Sequence, residues 1–306
     1  MKKQMIGIIS LLLCTLIWGF AFIAQSVGMD RMGPFTFQAI RCLLAFLFLF
    51  LMATAVDIPK LGLRGSLEKW KNPLLIRYGL LCGGVLFIAS SLQQIGIVYT
   101  EAGKAGFITA MYIVIVPLIG LFTSKKPSAA ALLSVIPAVI GLYLLSWMGG
   151  SGVNMGDLFL LAGAFGFAVQ ILLNDRNAGG LDGLRFNCIQ CFVICVLSVP
   201  FMFTEEIDVP GILSSWGSLA FAGILSMGVA YSLQIIGQKF VEPTAASLIM
   251  SLESVFAVLG GWLVLRETLN ARELMGCLLM FTAVVLSQLP TDLLRPRRRE
   301  ETPAAE

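Results

Sequence analysis

The chain has 306 residues, of which 58% are hydrophobic and only 13% charged, with a formal net charge of +3. A soluble chain carries about 25% charge, so this composition excludes a water-facing surface and makes lipid the main solvent. No basic cluster with interleaved aromatics suggests nucleic acid, and seven scattered cysteines give no disulfide framework.

Runs of about 17–25 apolar residues can cross a bilayer as helices. They occur at 5–27, 34–56, 74–98, 102–122, 129–147, 157–174, 186–203, 216–238, 244–265 and 272–289. This pattern predicts an all-α integral membrane protein with ten transmembrane helices. Lys2-Lys3 before Met5–Val27 has the look of a signal peptide. The apolar stretch exceeds an h-region of about 7–15 residues, and no small-residue cleavage site follows, so it reads as the first span. Gly33-Pro34, Asp57-Ile58-Pro59-Lys60, Lys125-Lys126-Pro127-Ser128, Gly149-Gly150-Ser151-Gly152 and Glu205-Glu206-Ile207-Asp208 mark breaks between spans. Pro117 and Pro137 are expected to kink their helices.

Alternating the spans from a cytoplasmic N-terminus puts 16 Lys or Arg inside and 4 outside, with Arg41 the remaining one of 21. The positive-inside rule then places both termini in the cytoplasm, and the expected location is the cell (inner) membrane. Residues 290–306 form a basic cytoplasmic tail containing Arg297-Arg298-Arg299.

Ser91-Leu92-Gln93-Gln94-Ile95-Gly96 recurs as Ser232-Leu233-Gln234-Ile235-Ile236-Gly237. The 141-residue offset holds without a gap from Ser91 to Ser146, pairing Glu101 with Glu242 and Gly120 with Gly261. A weaker echo pairs Gly19-Phe20-Ala21 with Gly166-Phe167-Ala168, and Phe37-Gln38-Ala39-Ile40-Arg41 with Phe186-Asn187-Cys188-Ile189-Gln190. Two five-helix repeats are expected, 1–147 and 148–289. An odd number of spans in each inverts the second relative to the first. Inverted repeats are an architecture of secondary transporters, with substrate near the midplane between them.

Trp18-Gly19-Phe20, the midspan Leu252-Glu253, and Gly261-Trp262-Leu263-Val264-Leu265-Arg266-Glu267 resemble motifs of the EamA family in the drug/metabolite transporter superfamily. The resemblance covers roughly residues 5–289. It implies two five-helix units and export of amino acids or related metabolites. The chain departs from the family pattern twice. Glu253-Ser254 replaces Glu-Pro in the ninth span, which implies a straighter helix there, and Ser124-Lys125-Lys126 replaces Gly-Glu after the fourth.

Glu253 lies about nine residues into its span, roughly 14 Å. It reads as a proton carrier or the binder of a substrate cation, against a structural carboxyl bonded to a neighbouring helix. Arg41, roughly 10 Å from the outer end of the second span, reads as a carboxylate binder or a partner of Glu253, against snorkelling to the interface. Helical spacing groups Gln38 with Arg41, Gln170 with Asn174, Tyr231 with Gln234 and Gln238, and Trp18 with Gln25. These stripes are candidate cavity walls, against plain interhelical hydrogen bonds. Gln93 and Gln234, equivalent in the repeat, are the best polar pair. Gly79-xxx-Gly83 and Thr244-Ala245-Ala246-Ser247 read as helix-packing patches. Cys188, Cys191 and Cys195 read as small core hydrophobes rather than a redox or copper site.

The resulting expectation is a secondary active transporter of small organic metabolites working by alternating access. Its partners would be the lipid bilayer and protons as the candidate coupling ion, with no cofactor or metal, as a monomer or homo-oligomer. A facilitative uniporter of sugars or nucleosides, and a non-transporting scaffold, remain alternatives. An ATP-driven pump is disfavoured because Ala102-Gly103-Lys104-Ala105 lacks the first glycine and Ser/Thr of a P-loop. An intramembrane enzyme, a lipid transferase or thiol oxidoreductase, would want His, paired acids or loop cysteines; the chain has no His.

Overall fold

The structure is a computed structural model describing residues 2–100, 102–122, 126–146, 154–264 and 270–289. Glu101, Ser124-Lys125, the Gly149–Gly152 break, Leu265-Arg266-Glu267 and the basic tail lie outside the described residues. The described regular elements are all helical: α1 (Lys2–Met29), α2 (Pro34–Glu68), α3 (Pro73–Tyr99), α4 (Ala102–Thr109), α5 (Tyr112–Gly120), α6 (Ala129–Ser146), α7 (Met155–Asn177), α8 (Gly183–Met202), α9 (Val209–Ser214), α10 (Trp216–Ala220), α11 (Tyr231–Gln238), α12 (Pro243–Met250), α13 (Glu253–Val264) and α14 (Ala271–Ser287). Six helical stretches among them are long and apolar enough to cross a membrane, and 105–120, 129–145 and 243–259 are shorter apolar helical stretches. Leu13, Leu47, Leu51, Leu80 and Leu278 are exposed, as lipid-facing side chains are.

The sequence placed a loop at Asp57–Lys60, but α2 runs through Pro59 and turns only at Gly62. There φ is +66°, a left-handed conformation that glycine adopts without the clash a Cβ would bring. A short 3₁₀ turn, Lys69–Lys71, follows. Asn72 then caps α3, its side chain accepting from the amides of Leu74 and Leu75.

Small residues set the helix packing. A Cβ at Gly79 or Gly83 would fall 2.7 Å from Ile189 or 2.9 Å from Val193, so α3 lies close on α8. Gly141 of α6 and Gly276 of α14 face each other, each 2.8 Å from the other's carbonyl if given a Cβ. Such close backbone approach maximises dispersion contact where lipid supplies no hydrophobic drive.

Two helix interruptions set the site. Between α4 and α5, at Ala110-Met111, the amides of Met111 and Ile113 bond i−3 carbonyls, Ile108 and Ala110, in place of the usual i−4 ones. Between α12 and α13, at Ser251-Leu252, the amides of Leu252 and Ser254 do the same with Ile249 and Ser251. The two interruptions are 141 residues apart and repeat the same bonds. The expectation of a straighter helix from Ser254 is therefore corrected: the helix is broken just before Glu253 without a proline. Pro117 and Pro137 sit inside α5 and α6, away from the interruption at Ala110-Met111.

A third irregularity, Phe221–Ala230 between α10 and α11, is a π-helix. Its looser winding leaves carbonyls to be satisfied from outside. The Asn187 side-chain amide donates to the carbonyls of Met227 and Gly228, at 2.8 and 3.0 Å.

Candidate functional site

A cavity opens between α1, α2, α3, α7, the π-helix, α11 and the two interrupted helices, with about 570 Å³ of empty space when the open solvent at its mouth is included. Trp18, Gln25, Arg41, Gln93, Gln170, Tyr231, Gln234 and Glu253 all line it. These side chains come from six elements, α1, α2, α3, α7, α11 and α13, and only the tertiary fold brings them to one wall.

Gln38 is not on that wall. It is fully buried and donates to Ser91 Oγ at 2.9 Å and Ser198 Oγ at 3.2 Å, clamping α2 to α3 and α8. Asn187 makes the corresponding bond from α8, to Ser232 Oγ at 3.1 Å. The expectation of a cavity role for Gln38 is corrected: it shares the helix face of Arg41, but two hydroxyls occupy its amide.

Arg41 is 2% exposed and does not snorkel. Its guanidinium donates to Gln25 Oε1 at 2.8 Å and lies 5.4 Å over the Phe37 ring. The Gln94 amide also donates to Gln25 Oε1, so a three-residue polar chain crosses from α2 through α1 to α3. Arg41 Nε has no hydrogen-bond partner among the described residues. Arg41 and Glu253 line the same cavity, but the Arg41 hydrogen bond goes to Gln25. Among the described residues the Glu253 carboxyl is bonded by Tyr112, whose hydroxyl donates to Oε1 at 3.1 Å.

The remaining polar side chains meet in pairs. Gln234 donates to Gln170 Oε1 at 3.3 Å, and Gln93 to Thr109 Oγ at 3.4 Å. Gln170 Nε2 and Gln234 Oε1 keep unused hydrogen-bonding capacity. Buried amides without partners cost about 1–3 kcal/mol each, a cost that a bound solute or water removes. Trp18 and Tyr231 meet edge to face, ring centroids 4.8 Å apart, and Phe22 and Phe167 extend this apolar side of the cavity. A buried guanidinium, a buried carboxyl, several amides and an aromatic wall suit a small solute with both polar and apolar parts. No group of three or more His, Cys, Asp or Glu among the described residues could hold a metal. The cysteines are free, with Cys188 and Cys191 buried.

Tyr112, Thr109, Ser226 and Met250 also line the cavity and were not singled out in the sequence. The signal for Tyr112 was available, because the 141-residue offset places it opposite Glu253.

A second polar cluster lies at the far end of α2. Arg185, 1% exposed, pairs with Asp57 at 2.7 Å and Asp182 at 2.6 Å, donates to Ser66 Oγ at 3.0 Å, and covers the Trp70 ring at 5.2 Å. Lys69 pairs with Asp57 at 2.9 Å. In the sequence Arg185 is one of the 16 Lys or Arg assigned to the inside. At the opposite end of α2, Glu205 accepts from the amides of Phe35 and Thr36 and from the Thr36 hydroxyl. A carboxylate at a helix N-terminus satisfies free amides and meets the positive dipole end. Glu242 likewise accepts from the Ser128 amide before α6 at 2.9 Å.

An all-helical chain with membrane-length apolar helices around a buried polar cavity defines a multi-pass membrane protein of transporter type. The chain belongs to the EamA-like transporter family of the drug/metabolite transporter superfamily: the family model matches residues 5–147 and again 154–289. An uncharacterized transporter of Archaeoglobus fulgidus is 32% identical over 94% of this chain and 87% of its own length. The uncharacterized transporter YoaV of Bacillus subtilis is 24% identical over 94% and 97%. The threonine/homoserine exporter RhtA of Salmonella typhimurium is 25% identical over 72% of each chain. A solved crystal structure shares the fold, with a TM-score of 0.79 over 96% of this chain and 99% of that one, at 18% identity.

Proposed function

We propose that this protein is a secondary active transporter that exports amino acids or related small metabolites by alternating access, with protons as the coupling ion. The observation that carries this reading is the central cavity. It holds Glu253 beside a helix interruption and Arg41 on a polar chain, which is charge complementarity for a zwitterion. A substrate carboxylate would meet Arg41, and an ammonium would meet Glu253 and the aromatic wall. The exporter relative RhtA lends support to the amino-acid class.

In this reading residues 1–147 and 148–289 are two inverted five-helix units, ten spans in all, that rock about the cavity. Support comes from the sequence repeat, from the family model matching twice, and from bonds duplicated across the halves. The helix interruptions recur 141 residues apart, and Gln38–Ser91 is mirrored by Asn187–Ser232. A uniporter would use the same cavity without the acid needing to titrate.

Purified protein in vesicles should accumulate a labelled amino acid when a pH gradient is imposed, and a panel including sugars and nucleosides tests the class. Flux of sugars or nucleosides alone would replace this reading by the uniporter. Orientation follows from the charge asymmetry: a fluorescent reporter active only in the cytoplasm and fused at Glu306 should light up, and a tag at Glu206 should be labelled from outside. A dark reporter would overturn the ten-span count.

A further inference from the structure

We propose that Tyr112 is the positioning residue of the Glu253 carboxyl, the two forming one axial site shared by both halves of the molecule. This rests on the inverted-repeat reading above and goes beyond it by assigning a role to Tyr112.

The 141-residue offset that relates the halves maps Tyr112 onto Glu253, and it is these two residues that touch, at 3.1 Å. An atom and its twofold mate are separated by twice their distance from the axis. A contact between mates therefore puts both side-chain tips beside the axis. Their backbones obey the same relation. Ala110-Met111 maps onto Ser251-Leu252, and each residue opens the half-helix that follows its interruption, Tyr112 at the start of α5 and Glu253 at the start of α13. The i−3 bonds at each interruption turn the chain away from the course of a straight helix, and so fix where the first side chain of the next half-helix points.

The two positions have diverged into complementary partners, a neutral donor and an acid. Both are buried, Tyr112 4% and Glu253 5% exposed. No Lys or Arg forms an ion pair with Glu253 among the described residues, and Arg41 is engaged with Gln25. The aim of the carboxyl thus depends on the phenol, through a bond that is charge-assisted whenever the acid is ionised. Exchanging the conformations of two inverted halves maps a contact between mates onto itself. When the halves rock, Tyr112 and Glu253 therefore stay together. Tyr112 so keeps the acid at the centre in every state, where either side of the membrane can reach it in turn.

The test exchanges the mates. Tyr112→Glu alone sets two acids against each other, and Glu253→Tyr alone removes the acid; both should lower the thermal midpoint of the purified protein. The double variant carrying both restores a phenol facing a carboxyl and should regain most of the lost midpoint. If the two losses simply add, the axial contact is absent and the proposal falls, whatever the protein transports. Tyr112→Phe keeps the ring and removes only the hydroxyl, and should displace the pH profile of flux with a smaller loss of midpoint than Tyr112→Glu. An unaltered pH profile would reduce Tyr112 to packing and overturn its positioning role. Absence of any solute flux by the unaltered protein would strike instead at the transporter reading, since the midpoint comparison needs no transport.

Discussion

Glu253→Gln is expected to reduce pH-driven accumulation of substrate to the level of empty vesicles while leaving the protein folded. A glutamine has the size of the acid and keeps a carbonyl oxygen to accept from the Tyr112 hydroxyl, so the wall of the cavity is preserved. What it loses is the ability to take up and release a proton. Exchange of substrate across the membrane without a gradient should continue at a weaker apparent affinity, since the carboxyl that meets the ammonium is gone, while the uphill component should vanish. The side chain is 5% exposed and placed on a cavity between helices, where an ionisable group inside a membrane is by default functional. A variant that still concentrates substrate with the pH dependence of the original would make Glu253 structural and remove protons from the mechanism.

Gly19→Ala should destabilise the protein by about 1–3 kcal/mol, the usual cost of overpacking, and cut transport with it. A Cβ at position 19 would fall 2.6 Å from Cβ of Phe256 and 2.9 Å from the backbone nitrogen of Ala257. Backbone cannot rotate out of the way as a flexible side chain can, so α1 must move off α13. Trp18 rides on α1 and Glu253 opens α13, so the same displacement opens the cavity wall. Gly84→Ala is the matched control: nothing lies within 4 Å of its added Cβ. There the loss of glycine from a helix interior should be neutral or favourable by up to about 1 kcal/mol. Thermal unfolding of both variants, with flux measured alongside, checks the pair. Equal midpoints would mean that α1 and α13 do not pack as closely as the structure has them.

The Gly19 result also bears on how much of the site was legible. Trp18-Gly19-Phe20 was noticed as a family-like motif, but its physical reason, a bare backbone face against Phe256-Ala257, needs the neighbouring helix. Trp18, Gln25, Arg41, Gln93, Gln170, Tyr231, Gln234 and Glu253 could be nominated from sequence because polar side chains are expensive in lipid and few are kept without a use. Gln38 passed the same filter and proved to be a clamp. Periodicity assigns a residue to a helix face, and that face is wide enough to meet a cavity at one turn and two hydroxyls at the next. The helix interruptions gave no local signal. Ala110-Met111 and Ser251-Leu252 contain neither proline nor glycine, and what marks them is their common place in the repeat.

The solvent of this protein, its helical character, its internal offset of 141 residues and its family can be read from the amino-acid order alone. These follow from terms summed along the chain: apolar run length against bilayer thickness, charge against burial, and similarity in register. It took the packed helices to show that Arg41 engages Gln25 and leaves Glu253 to Tyr112, that Arg185 ties together Asp57, Asp182 and Ser66, and that α2 continues through Pro59 to turn at Gly62. Each of these is a choice among competing partners within a few ångströms. Hydrogen bonds and ion pairs fall off over such distances, so the choice is made by where whole helices are packed rather than by which residues the chain contains.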